Sequence, residues 1–487
     1  MLTRKVNQHD LEADINAIGR EIFKRAEAAA PSIFSVEFWQ QFAMNRMTAD
    51  EDLKLRLFRF IEVLPSLQDS TTIARSLREH LKSGSAKSRN ATSPDGHTSS
   101  QNGRQPLPPL LDLAVSYDNP NGIFAHAVAK AALIACEQGA RKFIVGSTPD
   151  QAIASVRQLR RRNMCFTLDL LGETTLDDDL ARQHQMQYIT LIEQLSRQAR
   201  EWPAVPLLDT APWGSLPRIN VSVKLSAIVA NLHAIASRSD AEAVLERLRP
   251  ILRAARLNGA FINIDMEYYA AKDLTLDVFK RVLTEPEFRD WEHCGIVIQA
   301  YLRDAESDMR SMIDWARPRG ATVTVRVVKG AYWDSEVAAA RRDNAPIPVY
   351  TEKWESDASF ERVAELLLRN ADVIRPAFAS HNVRSIAAVL AMEAAMGLPP
   401  RTLELQMLTG MGDPLKRAVV SMGQRLRVYA PFGDMLTGMA YLIRRLIENT
   451  ANESFLRQSF AGNTPVEQML APPGAFRPQG ATGCSHG

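Results

Sequence analysis

The chain has 487 residues, 46% hydrophobic and 23% charged, with 58 Lys and Arg against 56 Asp and Glu for a formal net charge of +2. This is ordinary globular composition with length for two or three structural units, and its near-neutral balance implies no nucleic-acid partner. Four scattered cysteines, Cys136, Cys165, Cys294 and Cys484, form no CxxC pair and no metal-ligand spacing with the nine histidines, which points to a reducing compartment and no metal site.

The N-terminus lacks the apolar core of a secretory signal, and nowhere do about 18 uninterrupted apolar residues occur, so a cytoplasmic chain without a membrane span is expected. Residues 1–82 read as an N-terminal helical arm and domain, with periodic apolar positions at Leu11, Ile15, Ile18, Ile22 and Phe23 and again at Leu55, Leu57, Phe58, Phe60 and Ile61. Residues 83–106, SGSAKSRNATSPDGHTSSQNGRQP, hold no large apolar side chain, so they cannot offset their own ordering entropy and read as a flexible linker. A further helical segment over 107–164 leads into the main unit, 165–460, and a Pro- and Gly-rich tail follows at 461–487.

Within that unit eight short apolar or alternating runs recur between helical stretches: CFTLDLLG (165–172), INVSVKLSAI (219–228), FINIDMEY (261–268), GIVIQAYL (295–302), VTVRVVKGA (323–331), PAFASHN (376–382), LELQMLTG (403–410) and RLRVYAPFG (425–433). Strands alternating with helices argue for a closed parallel (β/α)8 barrel, with room for distortion at the first and last crossings. Alternation sorts the side chains: Val221, Val223 and Leu225 oppose Ser222, Lys224 and Ser226, and Ile262, Ile264 and Met266 oppose Asn263, Asp265 and Glu267. The apolar face packs on helices, so the polar face points inward, and the same logic turns Asp169, Glu173, Gln299, Arg326, His381, Gln406, Arg427 and Tyr429 inward. So many polar groups near strand ends suggest a large polar ligand; a satisfied network of core ion pairs is the alternative.

Two segments carry most of the chemistry. Tyr441, Arg444, Arg445 and Glu448 stand at i, i+3, i+4 and i+7, one face of a helix, where two guanidinium forks suit a small anion; a hydrated basic patch is the plainer reading. RVVKGAYW (326–333) ends the fifth strand with two cations, Arg326 and Lys329, a glycine and two aromatics, which suits a phosphate-bearing aromatic cofactor. Neither a Walker loop nor a GxGxxG after the first strand occurs, so a P-loop nucleotidase or Rossmann dehydrogenase is unsupported.

Taken together, VSVKLSA, NIDMEY, VIQAYLRDA, VRVVKGAYWDSE, ASHN, LQMLTGMG, YAPFG and YLIRRLIEN resemble, in order and spacing, the proline dehydrogenase domain of the bifunctional proline utilization flavoproteins. The resemblance covers about Phe166 to Phe455, and the helical preface is similar to the arm and helical domain that precede that barrel. It implies a distorted (β/α)8 barrel that holds FAD non-covalently and oxidises L-proline to Δ1-pyrroline-5-carboxylate by hydride transfer to flavin N5. A membrane quinone is the implied acceptor, reached by peripheral contact with the inner membrane face. The aldehyde dehydrogenase half is expected to be a separate protein or a missing portion of a longer chain.

The resemblance also implies roles. Arg444, Arg445 and Lys224 would hold the proline carboxylate, with Asp265 organising lysine and flavin, and Tyr429, Tyr441 and Leu408 would wall the ring. Glu173 would pair with Arg444 as a gate. Gln299 and Arg326 would meet the isoalloxazine; Val328, Lys329, Gly330, Ala331 and Trp333 would follow the ribityl and adenine side; Thr351, Lys353, His381, Asn382, Gln406 and Glu448 would hold the remainder. Glu352 stands where the family often has a basic residue, removing one cation from the pyrophosphate side. Three other readings stay open: a Schiff-base aldolase built on Lys224, a flavin dehydrogenase of a related cyclic amino acid such as hydroxyproline, and a degenerate barrel acting as a scaffold. For His381, Tyr429 and Tyr441 a place as simple core side chains is the alternative reading.

Overall fold

The computed structural model describes residues 8–29, 69–82, 130, 141–172, 175, 177–232, 241–434, 438 and 465–476. The chain divides into one unit formed by residues 1–30, 144–433 and 452–487 and another formed by 31–143 and 434–451. In the second unit the described helix, Ser70–Lys82, starts on Asp69, whose carboxylate accepts from the amides of Thr71 and Thr72 at 2.8 and 2.9 Å. The linker expected at 83–106 lies outside the described residues.

In the first unit, strands β1 (Cys165–Leu170), β2 (Ile219–Val223), β3 (Ala260–Ile264), β4 (Cys294–Gln299), β5 (Val323–Val328), β6 (Ile374–Ala379), β7 (Glu404–Leu408) and β8 (Leu426–Phe432) close into one parallel barrel in sequence order, β8 pairing back on β1. Each strand overlaps one of the eight runs, although β3, β4 and β6 begin one or two residues earlier, at Ala260, Cys294 and Ile374. The connections carry α3 (Asp178–Ala199), α4 (Ala241–Leu257), α5 (Lys272–Val282), α6 (Ala305–Arg319), α7 (Trp333–Arg342) followed by α8 (Lys353–Leu368), α9 (Val383–Ala395) and α10 (Asp413–Ser421). β5 is thus followed by two helices. α2 (Pro149–Arg161) precedes β1 and packs against it and β8, helped by the Thr148 N-cap and a proline in its first turn.

Period-two alternation decides which way each strand faces. Val221, Val223, Ile262 and Ile264 are fully buried, and a side chain of this kind stabilises the fold by about 1.5–3 kcal/mol when taken out of water. Their polar neighbours meet across the lumen: Arg326 of β5 donates to Ser222 of β2 at 3.3 Å, although those strands are not neighbours in the sheet. A contact between non-adjacent strands of a closed barrel passes through its interior.

Outside the barrel, α1 (Gln8–Ala28) buries Ile15, Ile22 and Phe23 and packs on α9 and α10. Arg384 of α9, 4% exposed, donates to Glu12 of α1 at 2.7 and 2.8 Å, to Glu361 of α8 at 2.9 and 3.1 Å, and to the Leu470 carbonyl at 2.8 Å. At the other end a small antiparallel hairpin, Thr210–Ala211 with Gly214–Ser215, stands immediately before β2.

Candidate active site

The C-terminal ends of β1, β2, β3, β5 and β8 deliver one connected cluster. β1 lies between β8 and β2, and Asp169 is level with Ser222 on one side and Pro431 on the other. The Lys224 ammonium, one residue past the end of β2, is paired with the Asp169 carboxylate and donates to the Tyr429 hydroxyl at 3.4 Å. Tyr429 in turn donates to Asp265 Oδ2 at 2.7 Å. Asp265 Oδ1 accepts from Arg326 at 2.8 Å and from the Asn263 amide at 3.0 Å. The Arg326 guanidinium also lies 5.5 Å from the centre of the Tyr429 ring, a cation–π distance. Thr167 and Ser222, 3.2 Å apart, complete the layer beneath.

Most of these groups are taken out of water, and Tyr429 is half-buried. Asp169 is fully buried and Lys224 and Arg326 are each 4% exposed. Burial pushes the Asp169 carboxyl up to about 6, with the Asp265 charge adding and Lys224 opposing. Burial, reinforced by Asp169 and Asp265, pushes the Tyr429 phenol well above its ordinary value, so it serves as a neutral donor. A Schiff-base lysine needs an apolar surrounding that strips its charge, whereas Lys224 sits against a carboxylate. The cluster therefore offers a fixed cation for an anionic ligand rather than a free amine.

A second set of residues stands on the neighbouring strand ends and α7 to α9. Gln299 donates to the Glu267 carbonyl at 3.0 Å, while its buried Oε1 has no partner among the described residues. Glu267 is pinned by Ser226, whose hydroxyl donates to it at 2.6 Å. Past β5, the Val328 and Lys329 carbonyls accept from the Ala300 and Tyr301 amides at 2.8 and 2.7 Å. Gly330 then turns the chain at φ +132°, so close to the Tyr301 ring that a Cβ would sit 2.4 Å from it. Gly330 and Ala331 are exposed, and Trp333, 40% exposed, donates its indole N–H to the Tyr350 carbonyl at 2.8 Å. Lys329 and Lys353 converge on Asp357, the latter at 2.8 Å. Burial would raise the Asp357 carboxyl, but the two lysines outweigh it and hold it below the usual range. Thr351 is exposed just before α8.

Asn382 caps α9 by accepting from the Ser385 amide at 3.1 Å and lines a cleft with Lys353, Asp357, Glu361 and Arg384. His381 Nε2 accepts from the Leu408 amide at 3.1 Å, joining two positions that the sequence places apart. Gln406 is turned lower in the lumen, donating to Glu404 at 2.8 Å. Arg427 takes both Glu404 oxygens at 2.6 and 2.8 Å, the core ion pair that was the alternative reading of its inward position. Glu352 begins α8 in a capping box, its amide donating to Glu355 at 3.2 Å. Glu173, Tyr441, Arg444, Arg445 and Glu448 lie outside the described residues.

Three residues to which no role in the site was given belong to this architecture: Asp169 as the partner of Lys224, Glu267 as the anchor of Gln299, and Asp357 as the bridge between two lysines. Asp357 had a signal, since it stands four residues after Lys353 on a helix. Asp169 and Glu267 had only their inward parity. Their partners come from other strands, which a single segment does not reveal.

Comparison with known proteins fits this arrangement. Residues 152–458 match the family model described as proline dehydrogenase, and residues 12–93 match that of the proline utilization A N-terminal domain. The chain is 33% identical over 343 residues to the bifunctional protein PutA of Escherichia coli (strain K12), covering 68% of this chain and 25% of that one. It is 30% identical over 318 residues to proline dehydrogenase 1 of Bacillus subtilis (strain 168), covering 65% of this chain and 89% of that one. Among solved structures, proline utilization A from Bdellovibrio bacteriovorus inactivated by N-propargylglycine superposes with a TM-score of 0.82 at 38% identity, over 97% of this chain and 44% of that one. The chain thus spans about a quarter of the bifunctional relatives and most of the shorter Bacillus ones. With the family model covering well over half of its residues, the chain belongs to the proline dehydrogenase family.

Proposed function

We propose that this protein oxidises L-proline to Δ1-pyrroline-5-carboxylate with FAD as cofactor. The observation that carries the reading is the Lys224–Asp169 and Tyr429–Asp265–Arg326 cluster, its charged groups buried, at the barrel's C-terminal mouth, in a chain of this family. The described residues suit an anionic aromatic dinucleotide. The Gln299 acceptor lacks a donor, the Gly330 turn brings bare backbone beside Ala331 and Trp333, and two ammonium groups flank Asp357. Gln299, Arg326, Val328, Lys329, Gly330, Ala331, Trp333, Thr351, Lys353, His381, Asn382 and Glu448 would hold it, whereas Gln406 serves Glu404 lower in the lumen. When bound, FAD supplies the hydride acceptor at N5 and passes the electrons on to a membrane quinone.

The chain's own residues bind and orient. Lys224, with Arg444 and Arg445, anchors the carboxylate, and a bidentate fork fixes direction as well as charge. Tyr429 walls the pyrrolidine ring while Asp265 holds its hydroxyl, and Leu408 and Tyr441 limit the ring size. Asp169 and Asp265 keep Lys224, Tyr429 and Arg326 in place, so little reorganisation is needed. The proline amine gives up its proton, the C5–H bond breaks with its electron pair leaving as hydride, and the nitrogen lone pair closes the C=N bond. A separate pyrroline-5-carboxylate dehydrogenase, or a further part of a longer chain, takes the product, and work takes place at the cytoplasmic membrane face. Proline-dependent reduction of a soluble quinone tests the reading: Arg444→Met is expected to raise the proline KM at least tenfold, and an unchanged KM contradicts the carboxylate assignment.

A further inference from the structure

The N-terminal end of the barrel holds a second, partly open cavity, lined by Trp213, Asn220, Arg375, Glu404, Arg425 and Arg427, with Arg326 facing it from above. Trp213 sits in the turn of the hairpin Thr210–Ser215 and brings that hairpin against the cavity. Four guanidiniums line the space, and their partners can be counted. Arg326 has Asp265 at 2.8 Å, and Arg375 has Glu292 at 2.7 Å. Arg427 takes both oxygens of Glu404 at 2.6 and 2.8 Å.

Arg425 is left over. It is 2% exposed, reaches the already shared Glu404 only at 3.3 Å, and otherwise meets the Thr210 and Arg401 carbonyls at 3.3 and 3.4 Å. Among the described residues, Arg425 and Arg427 thus share the single Glu404 carboxylate, a costly arrangement in a low-dielectric interior. Burial pulls the Arg425 pKa down, while Arg427, with Glu404 in its grip, moves up, which marks the same imbalance. Burial likewise lowers His293 at the cavity wall, so that side chain adds no stable charge.

The donors point the same way. Trp213 Nε1 is buried without a hydrogen-bond partner among the described residues, Arg425 Nε has only the 3.3 Å ion pair with Glu404 and no well-aligned hydrogen bond, and Asn220, 4% exposed, has an orphaned amide oxygen. An amide of this kind presents either its oxygen or its N–H2 to the cavity. The Trp213 ring lies 5.1 Å from the Arg375 guanidinium and 5.7 Å from that of Arg425, so the indole is flanked by two cations. A π-face spreads such charge but does not neutralise it.

We propose that this cavity is an anion site, taking a small monovalent inorganic anion such as chloride between Arg425, Arg375 and the Trp213 N–H. The anion supplies the missing negative charge and accepts from the orphaned donors. It stands on the barrel floor beneath Arg326 and takes no part in proline chemistry.

Bromide is the probe. Thermal unfolding of the whole chain in sodium bromide against sodium gluconate, at equal ionic strength, is expected to show a saturable rise in Tm with bromide alone. Trp213→Phe, which deletes the N–H, and Arg425→Gln, which deletes the charge, are each expected to raise the half-saturating bromide concentration at least tenfold. Crystals grown in bromide are expected to show an anomalous peak within reach of Arg425 and Trp213. Equal Tm values in the two salts, or variants that respond as the parent does, overturn the proposal. Should Arg425→Gln fail to fold, Trp213→Phe and the anomalous map decide, and a map with no peak in this cavity overturns it. None of these readouts depends on proline oxidation.

Discussion

The Tyr429 hydroxyl, carried on β8, donates to Asp265 Oδ2 at 2.7 Å across the barrel mouth, and the same carboxylate holds Arg326 through its other oxygen. One acid thus fixes an aromatic wall and a cation at once. Tyr429→Phe removes the bond and keeps the ring. A hydrogen bond to a charged group is worth about 1.5–3 kcal/mol, so chemical denaturation is expected to show a loss of that order. The proline kcat/KM is expected to fall by about tenfold as the ring loses its fixed orientation, which steady-state kinetics checks.

Asp169 links stability to pH. Its folded carboxyl is raised from 3.8 to about 6, so between those values the native state binds more protons than the unfolded one. Its contribution is complete below about pH 4 and is lost as pH rises through about 6. Roughly 3 kcal/mol is at stake for a shift of this size. Asp169→Asn removes the titration: the stability of the parent relative to the variant is expected to decline from pH 4 to 7 in urea-unfolding series. A difference independent of pH across that window contradicts the assignment.

Glu404 acts in the opposite sense. Burial alone would raise it, but Arg427 and Arg425 prevail and hold it at about 2 against an ordinary 4.5. Its contribution is therefore present above about pH 4.5 and lost as pH falls toward 2. Glu404→Gln leaves two buried guanidiniums without a carboxylate, a change that costs about 3–5 kcal/mol in comparable buried pairs. Denaturant midpoints at neutral pH are expected to drop accordingly, and the acid-unfolding curve of the variant is expected to lose steepness below pH 4.5.

Gly330 combines a φ of +132° with a ring where a Cβ would go. Gly330→Ala must move either the backbone or Tyr301, at a cost of about 1–3 kcal/mol from strain alone. The flavin-free protein is expected to melt lower, and FAD affinity measured by fluorescence titration is expected to weaken by at least tenfold. Unchanged affinity removes the β5–α7 turn from the proposed cofactor site.

Much of the fold was legible because alternation is a local property. Ser222, Lys224, Asn263 and Asp265 read inward from parity alone, and strands at eight stations with intervening helices left the closed barrel as the economical solution. Pairings were less legible. The sequence places Lys224 and Asp169 on strands 55 residues apart, and nothing in either segment names the other. Gln406 and Arg427 share the inward parity of Asp265, yet they serve Glu404 lower in the lumen. Parity gives the face of a strand, while depth along the barrel axis depends on register between strands. The second helix after β5 and the indole-capped cavity on the barrel floor were likewise beyond reach, because Trp213 carries no signal until the hairpin sets it beside Arg375 and Arg425.

Proline oxidation through a bound flavin is the core of the proposed function. Its most direct test is the visible spectrum of the purified protein, saturated with FAD, before and after anaerobic addition of L-proline. Flavin absorption bands are expected to bleach on proline and return with a quinone. Bands that persist under excess proline contradict it, as does a protein that retains no flavin after loading.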